Sequence, residues 1–438
     1  MDLRSKSLTI LNNQYEPAIG NRPFYCFYSS LFSTSATMEE HSGTSSKRLR
    51  LSFIEDSFAV KPNWSDLQPE LLELIISKLS FINIIRLKAV CSSWRSFAES
   101  YVSFLPRTPW LLLPGNQEHH ARCFFSLEDN KVYQIKNISN LFGDDAWCVG
   151  SSHGWLVLLD DEAKPFLLNP FSQVRIQLPT IERFVFLVHK SYFIKVLRKG
   201  FITRAILSSD PSHDNNYVVV LILGYVSRLA FYKKGVSGWT ISNGASRKYC
   251  DIIYCNDLFY ALTLDNSIEV WDFHASLPIK NREIHPSVPR KIMEATECLR
   301  SPHCCQSHLV ESSGDLLLVL RYLGKEGKLW VCPYRTQNFH VYRLDSNDPN
   351  WVEVDNLKNE VLFLAGNHSM SLSAQDFSGF EKNSIYFTGD IWNQMNKDYS
   401  YAGYDLGKFS LEEKITKPFY AFGLGRTGSP SFWIVPNP

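Results

Sequence analysis

A chain of 438 residues that is 45% hydrophobic and 14% aromatic can bury a large core, and its length allows about three domains, or fewer if it is rich in β-structure. Lys and Arg number 45 against 44 Asp and Glu, a net charge of +1, so there is no global basic field to hold phosphate backbones and nucleic acid is not expected as a partner. The 10 cysteines show no CxxC pair or regular spacing, which fits reduced thiols in the cytosol or nucleus, and no apolar run approaches the ~18 residues of a membrane span.

Residues 1–60 are rich in Ser, Asn and Thr, lack sustained periodicity, and are expected to be a disordered N-terminal segment. Two features stand out in it. Lys47-Arg48-Leu49-Arg50 has the form of a nuclear import signal, and equally that of a solvated basic patch. Arg4, Lys6 and Arg22 with few acids give residues 1–37 a faint transit-peptide character, with Met38 as an alternative start. Nucleus and cytoplasm are the expected location, with mitochondrion or plastid as the alternative.

From Trp64 to Tyr101 the pattern is helical. Pro69 suits a first helical turn, and Asp66, Glu70 and Glu73 lie near the positive end of the helix dipole, so a helix is predicted from Gln68. At about 100° per residue, Leu67, Leu71, Leu72, Leu74, Ile75, Ile76 and Leu79 cover an arc of roughly 200°, twice what packing on a single core requires. A second run, Asn83 to Ala89, carries Ile84, Ile85 and Leu87. A third places Trp94, Phe97, Ala98 and Tyr101 at i, i+3, i+4, i+7 behind Ser92 or Ser93 as N-cap. So small a unit buries little surface and needs something to pack on, either the rest of the chain or an external partner.

From Pro106 onward the chain turns to short apolar or alternating runs broken by Gly, Asn-Asp and Pro, which predicts an all-β domain over 106–438. The runs group as strand, turn, strand with a closing aromatic: Trp155 through Asn169, Val218 through Trp239, Leu258 through Trp271, Leu316 through Trp351. Groups recurring every ~40–50 residues predict a β-propeller whose blades bury one another's faces. Two proline-bounded segments, Trp110-Leu111-Leu112-Leu113 and Ser431-Phe432-Trp433-Ile434-Val435, are strongly β-prone and are expected to lie in the same or neighbouring blades and fasten the ring, with two independent edge strands as the alternative.

Several motifs resemble enzyme or metal sites and fail on context. Gly150-Ser151-Ser152-His153-Gly154 matches the nucleophile elbow, but Trp155 to Leu159 predicts a strand where a helix is required, so Ser152 is expected in a hairpin. Gly423-Leu424-Gly425-Arg426-Thr427-Gly428 matches a dinucleotide fingerprint with only ten residues after it, too few for the helix and strand such a site needs. Cys298, His303, Cys304, Cys305 and His308 match no common zinc spacing. Asn137 and Asn367 head formal glycosylation sequons, which carry no weight without a secretory signal. No catalytic residue, cofactor or metal is therefore expected.

The run Leu67-Gln68-Pro69-Glu70-Leu71-Leu72, then Ile75, Leu79, Arg86 and Val90-Cys91-Ser92-Ser93-Trp94-Arg95, resembles an F-box. Gln68 stands where that family usually has proline, and Asn83 where an acidic residue is common. Gly150 to Leu156, Leu167-Leu168-Asn169-Pro170-Phe171, Leu309 to Val319 and Asn383 to Thr388 resemble the plant F-box proteins with a C-terminal KIB-type, kelch-like β-propeller. The resemblance implies a three-helix F-box at 61–105 followed by one propeller at 106–438. It also implies a non-catalytic receptor that docks a Skp-type adaptor, and through it a cullin, while the propeller binds a target protein for ubiquitination. A propeller scaffold working apart from the ligase is the alternative. Combined with the wide apolar arc, the resemblance makes Leu67, Pro69, Leu71, Leu72, Ile75, Leu79, Val90 and Trp94 the candidate adaptor contacts.

Overall fold

The computed structural model describes residues 8–10, 63–102, 107–113, 122–135, 138–143, 146–181, 200–224, 228–242, 248–275, 278–287, 305–324, 335–345, 347–377, 379–389, 405–417 and 431–437. Three helices come first: α1 (Pro69–Ile76), α2 (Phe81–Leu87) and α3 (Ser92–Val102). Gln68 caps α1 in extended backbone and Pro69 opens it, where the missing N–H costs no helical bond. Helix α2 starts at Phe81 rather than at the expected Asn83, with Ser80 in extended backbone at its N-cap. Helix α3 is capped by Cys91 and not by a serine: its Sγ accepts the Trp94 N–H at 3.5 Å. Ile76, Ile84, Leu87 and Ala98 form the helical core.

Among the described residues the strands build five antiparallel or mixed sheets, one of them eight-stranded. That large sheet is two four-stranded blades joined edge to edge by a single parallel pair, Gly150 with Ala205, so the described residues form six blades. A Cβ at Gly150 would stand 2.0 Å from the Ala205 carbonyl oxygen, so only glycine permits this close approach of two inner strands. Blade I contains Trp110–Leu112, Cys123–Ser126 and Lys131–Ile135. Helix α4 (Ile138–Phe142) leads to blade II, which runs Trp147–Ser152, Trp155–Leu159, Pro165–Asn169 and Val174–Gln177. Blade III begins at Ile202–Leu207, blade IV at Tyr249–Cys255 and blade V at Cys305–Ser312. Blade VI has five strands, with Ser369–Ser373 at one edge and Ile415–Lys417 at the other.

Strand alternation makes these sheets a ring. Along Trp155–Leu159, Leu156 and Leu158 pack toward blade I while Trp155, Val157 and Leu159 pack toward blade III, as side chains on opposite faces of a strand must. The same division joins blades III and IV, IV and V, and V and VI. One further cluster joins blade VI to blade I through Val361, Phe363 and Tyr386 against Leu111, Phe125 and Trp433. The C-terminal strand Phe432–Ile434 pairs antiparallel with Trp110–Leu112, so the two proline-bounded segments do fasten the ring.

The short strand Leu8–Ile10 pairs with Lys131–Ile135 at the outer edge of blade I, which the expectation of a disordered 1–60 did not anticipate. The rest of 1–60, including Lys47, Arg48 and Arg50, lies outside the described residues.

Candidate functional site

The broad apolar arc of α1 divides into two faces. Leu72 and Ile76, four residues apart and therefore on one side of the helix, are buried. Leu71 and Leu74 point the other way and are 47% and 64% exposed. Val90, in the turn between α2 and α3, is 58% exposed, and Trp64 ahead of α1 is 62% exposed. Leu67 and Ile75 are half-buried at the border, and Pro69 is exposed. Trp64, Leu71, Leu74 and Val90 are thus large apolar side chains left in water on one small module.

Leu72, included among the adaptor contacts on sequence grounds, is corrected by its 2% exposure: it faces the interior. Leu79 and Trp94 are half-buried and pack against the helical core. The Trp94 indole Nε1 donates to the Trp64 carbonyl at 2.8 Å, which ties the start of the module to α3. Leu74 and Trp64, absent from the candidate contacts, are the most exposed apolar side chains on this face. Leu74 was already visible in the arc; Trp64 precedes the helical periodicity that defined it.

The opposite side of the module meets the ring. Ile82, 1% exposed, lies in the cluster that includes Trp110, Phe124 and Phe432. The Phe81 ring stands 6.0 Å from that of Trp110 and 6.4 Å from that of Phe171, both edge-on, a preferred aromatic geometry. The choice between packing on the chain and leaving a free face is thus resolved by dividing the helices: α2 packs on the ring and α1 leaves a face open.

The axis of the propeller is polar. Arg204 of blade III donates from Nε to Asp251 Oδ1 of blade IV at 3.1 Å and from Nη1 to the Ala365 carbonyl of blade VI at 3.3 Å. Blade VI stands opposite blade III in a ring of six, so this side chain crosses the axis. Asp251 also accepts the Ile252 and Leu309 amides at 2.9 and 2.8 Å. Beside them, burial lowers the pKa of His368 to about 4, with His153 and Arg204 adding to the effect and Asp251 opposing it.

The nucleophile-elbow motif lies in a hairpin. Ser152 ends an inner strand, its Oγ accepting the Leu207 amide at 3.2 Å, and His153 and Gly154 turn directly into the strand Trp155–Leu159. Asn367 is buried and donates from Nδ2 to the Trp433 carbonyl at 3.1 Å, so its sequon is inaccessible in the folded ring. Cys305 packs between blades IV and V; its spacing of three from His308 puts the two on opposite faces of one strand. Asn137, Cys298, His303, Cys304 and the glycine run from Gly423 to Gly428 lie outside the described residues.

A family model described as KIB1-4 β-propeller matches residues 124–410, and an F-box domain model matches residues 64–105. The F-box/kelch-repeat protein KIB1 of Arabidopsis thaliana is 27% identical over 345 residues, covering 76% of this chain and 79% of that one. The F-box protein SKIP23 of Arabidopsis thaliana is 26% identical over 407 residues, covering 82% of this chain and 93% of that one.

Proposed function

The chain belongs to the KIB1-4 β-propeller family, with an F-box ahead of the propeller, and from this we propose that it is the substrate-recognition subunit of an SCF-type ubiquitin ligase. In this reading the F-box docks a Skp-type adaptor and through it a cullin, and the propeller holds a target protein. The observation that carries the reading is the exposure of Leu71 and Leu74 on α1, with Val90 also exposed, although the same small module buries Ile82 on the ring. An apolar helix face of this kind is what a helix-in-groove partner covers. The chemistry of ubiquitin transfer belongs to the partners, and this chain contributes binding and placement.

Reconstitution tests the proposal: the full-length protein, mixed with a plant Skp-type adaptor and a cullin, should elute with both as one complex in size-exclusion chromatography. Separate elution at micromolar concentrations would refute it. We also propose residence in nucleus and cytoplasm, a reading supported by free thiols at Cys91, Cys123, Cys148, Cys250 and Cys255. A fluorescent fusion of the full chain found only in plastids or mitochondria would overturn that assignment.

A further inference from the structure

The arrangement of α2 points to a second role for this short helix. Ile82 and Ile84 are two positions apart, roughly 200° around the helix, so their side chains leave opposite sides. Ile84 enters the helical core, and Ile82 enters the seam between blades I and II. Phe81 belongs to both clusters, half-buried between the helices and the ring. On the ring side Phe171 completes the seat: its ring lies 5.5 Å from that of Trp110, edge-on, and 5.7 Å from that of Phe124. Trp110 is itself paired to the C-terminal strand through Ile434, so the helices are seated on the strand pair that closes the ring. At the other end of α2, Lys88 is buried enough that its pKa is lowered, with Arg107 just before blade I among the smaller contributors.

We propose that Phe81, Ile82 and Phe171 are positioning residues that fix the F-box at one orientation on the propeller, so that the adaptor and the ring are held as one rigid body. This rests on the adaptor-docking reading above, since orientation matters for ubiquitin transfer only if the F-box carries the ligase. A tether of equal length would keep adaptor and target on one chain without fixing the path between the ubiquitin donor and target lysines. An edge-on aromatic seat with a buried isoleucine at its centre admits few alternative packings. Leu71 and Leu74 lie on a different helix, outside this seat, so adaptor docking and orientation are separable by mutation.

The test uses the full-length protein with click-reactive residues carrying a dye pair at exposed Ser77 of the F-box and exposed Asn281 of blade IV. Single-molecule energy transfer should give one narrow population, unmoved by adding adaptor. Ile82→Ser should broaden or split that population while adaptor affinity stays within about threefold, because the docking face is untouched. Phe171→Ala makes the same change from the ring side and leaves every F-box residue in place, which covers the case in which Ile82→Ser impairs helix folding. In a reconstituted ligase, both variants should spread self-ubiquitination over more lysines than the wild type uses. A broad population in the wild type, or a narrow and unmoved one in both variants, would overturn the proposal. A narrow wild-type population that both variants broaden, in a protein that binds no adaptor, would uphold the rigid seat and refute the docking reading instead.

Discussion

Leu111 sits directly opposite Trp433 in the antiparallel pair that joins the start of the propeller to the end of the chain. Both side chains are fully buried against Val361 and Phe363 of blade VI, so the closing pair is also the wall between the last blade and the first. Trp433 Nε1 donates to the Leu364 carbonyl at 3.2 Å, and the Trp433 carbonyl accepts from Asn367. Six apolar seams depend on one another in a closed ring, and this pair completes the last of them.

Removing residues 430–438 exposes the edge of Trp110–Leu112 and empties the space of Phe432, Trp433 and Ile434. At about 2–3 kcal/mol for each buried side chain, the loss is on the order of 6–9 kcal/mol, most of the stability of an ordinary domain. The truncated protein should fail to give a cooperative thermal transition, or give one far below the full chain's. Trp433→Ala, losing about 3–5 kcal/mol, should lower the same transition without splitting it. An unchanged transition after truncation would show that the ring does not depend on this closure.

At the axis, Asp251 holds Arg204 and two backbone amides in a buried setting. Asp251→Ala leaves a buried guanidinium without its counter-charge and two amides without acceptors, and should cost about 3–5 kcal/mol. Equilibrium urea unfolding of the full chain measures this. A loss below about 1 kcal/mol would mean that the axis is wet and the pair screened.

The pKa of His368 gives the pH dependence a sign. Its folded value of about 4 lies below the ordinary 6.5, so between these limits the unfolded chain binds the proton more readily and folding stability falls as pH falls. The contribution is complete above about pH 6.5 and amounts to about 2 kcal/mol lost by pH 5. Unfolding midpoints at pH 7.5 and pH 5 should differ by more in the wild type than in His368→Gln. Equal differences in the two proteins would remove His368 as the cause.

Second strands were legible because they are buried on both faces: Trp155–Leu159, Val218–Leu223 and Leu258–Thr263 are apolar runs, and each predicted group falls within one blade. Several innermost strands were not, because facing the axis lets them carry polar residues, as in Trp147–Ser152, Cys305–Ser312 and Ser369–Ser373. Outer strands such as Val174–Gln177 and Ile279–Ile284 are largely exposed and show no apolar alternation. Blade number was hidden with them. At the F-box the wide arc was visible, but its division was not: whether Leu71 or Leu72 faces outward depends on where α3 lies. Phe81 and Ile82 were missed because the helix was expected to begin at Asn83.

The exposed face of α1 carries the functional account, and two substitutions isolate it. Leu71→Asp and Leu74→Asp change side chains already in water, so the helical core of Ile76, Ile84, Leu87 and Ala98 should survive them, as circular dichroism can verify. Titration calorimetry of the full-length protein with a Skp-type adaptor is the direct measurement. If those leucines enter the adaptor, each substitution should weaken binding by roughly 1–3 kcal/mol, about tenfold to a hundredfold in Kd. A folded double variant that binds the adaptor as tightly as the wild type would contradict the account.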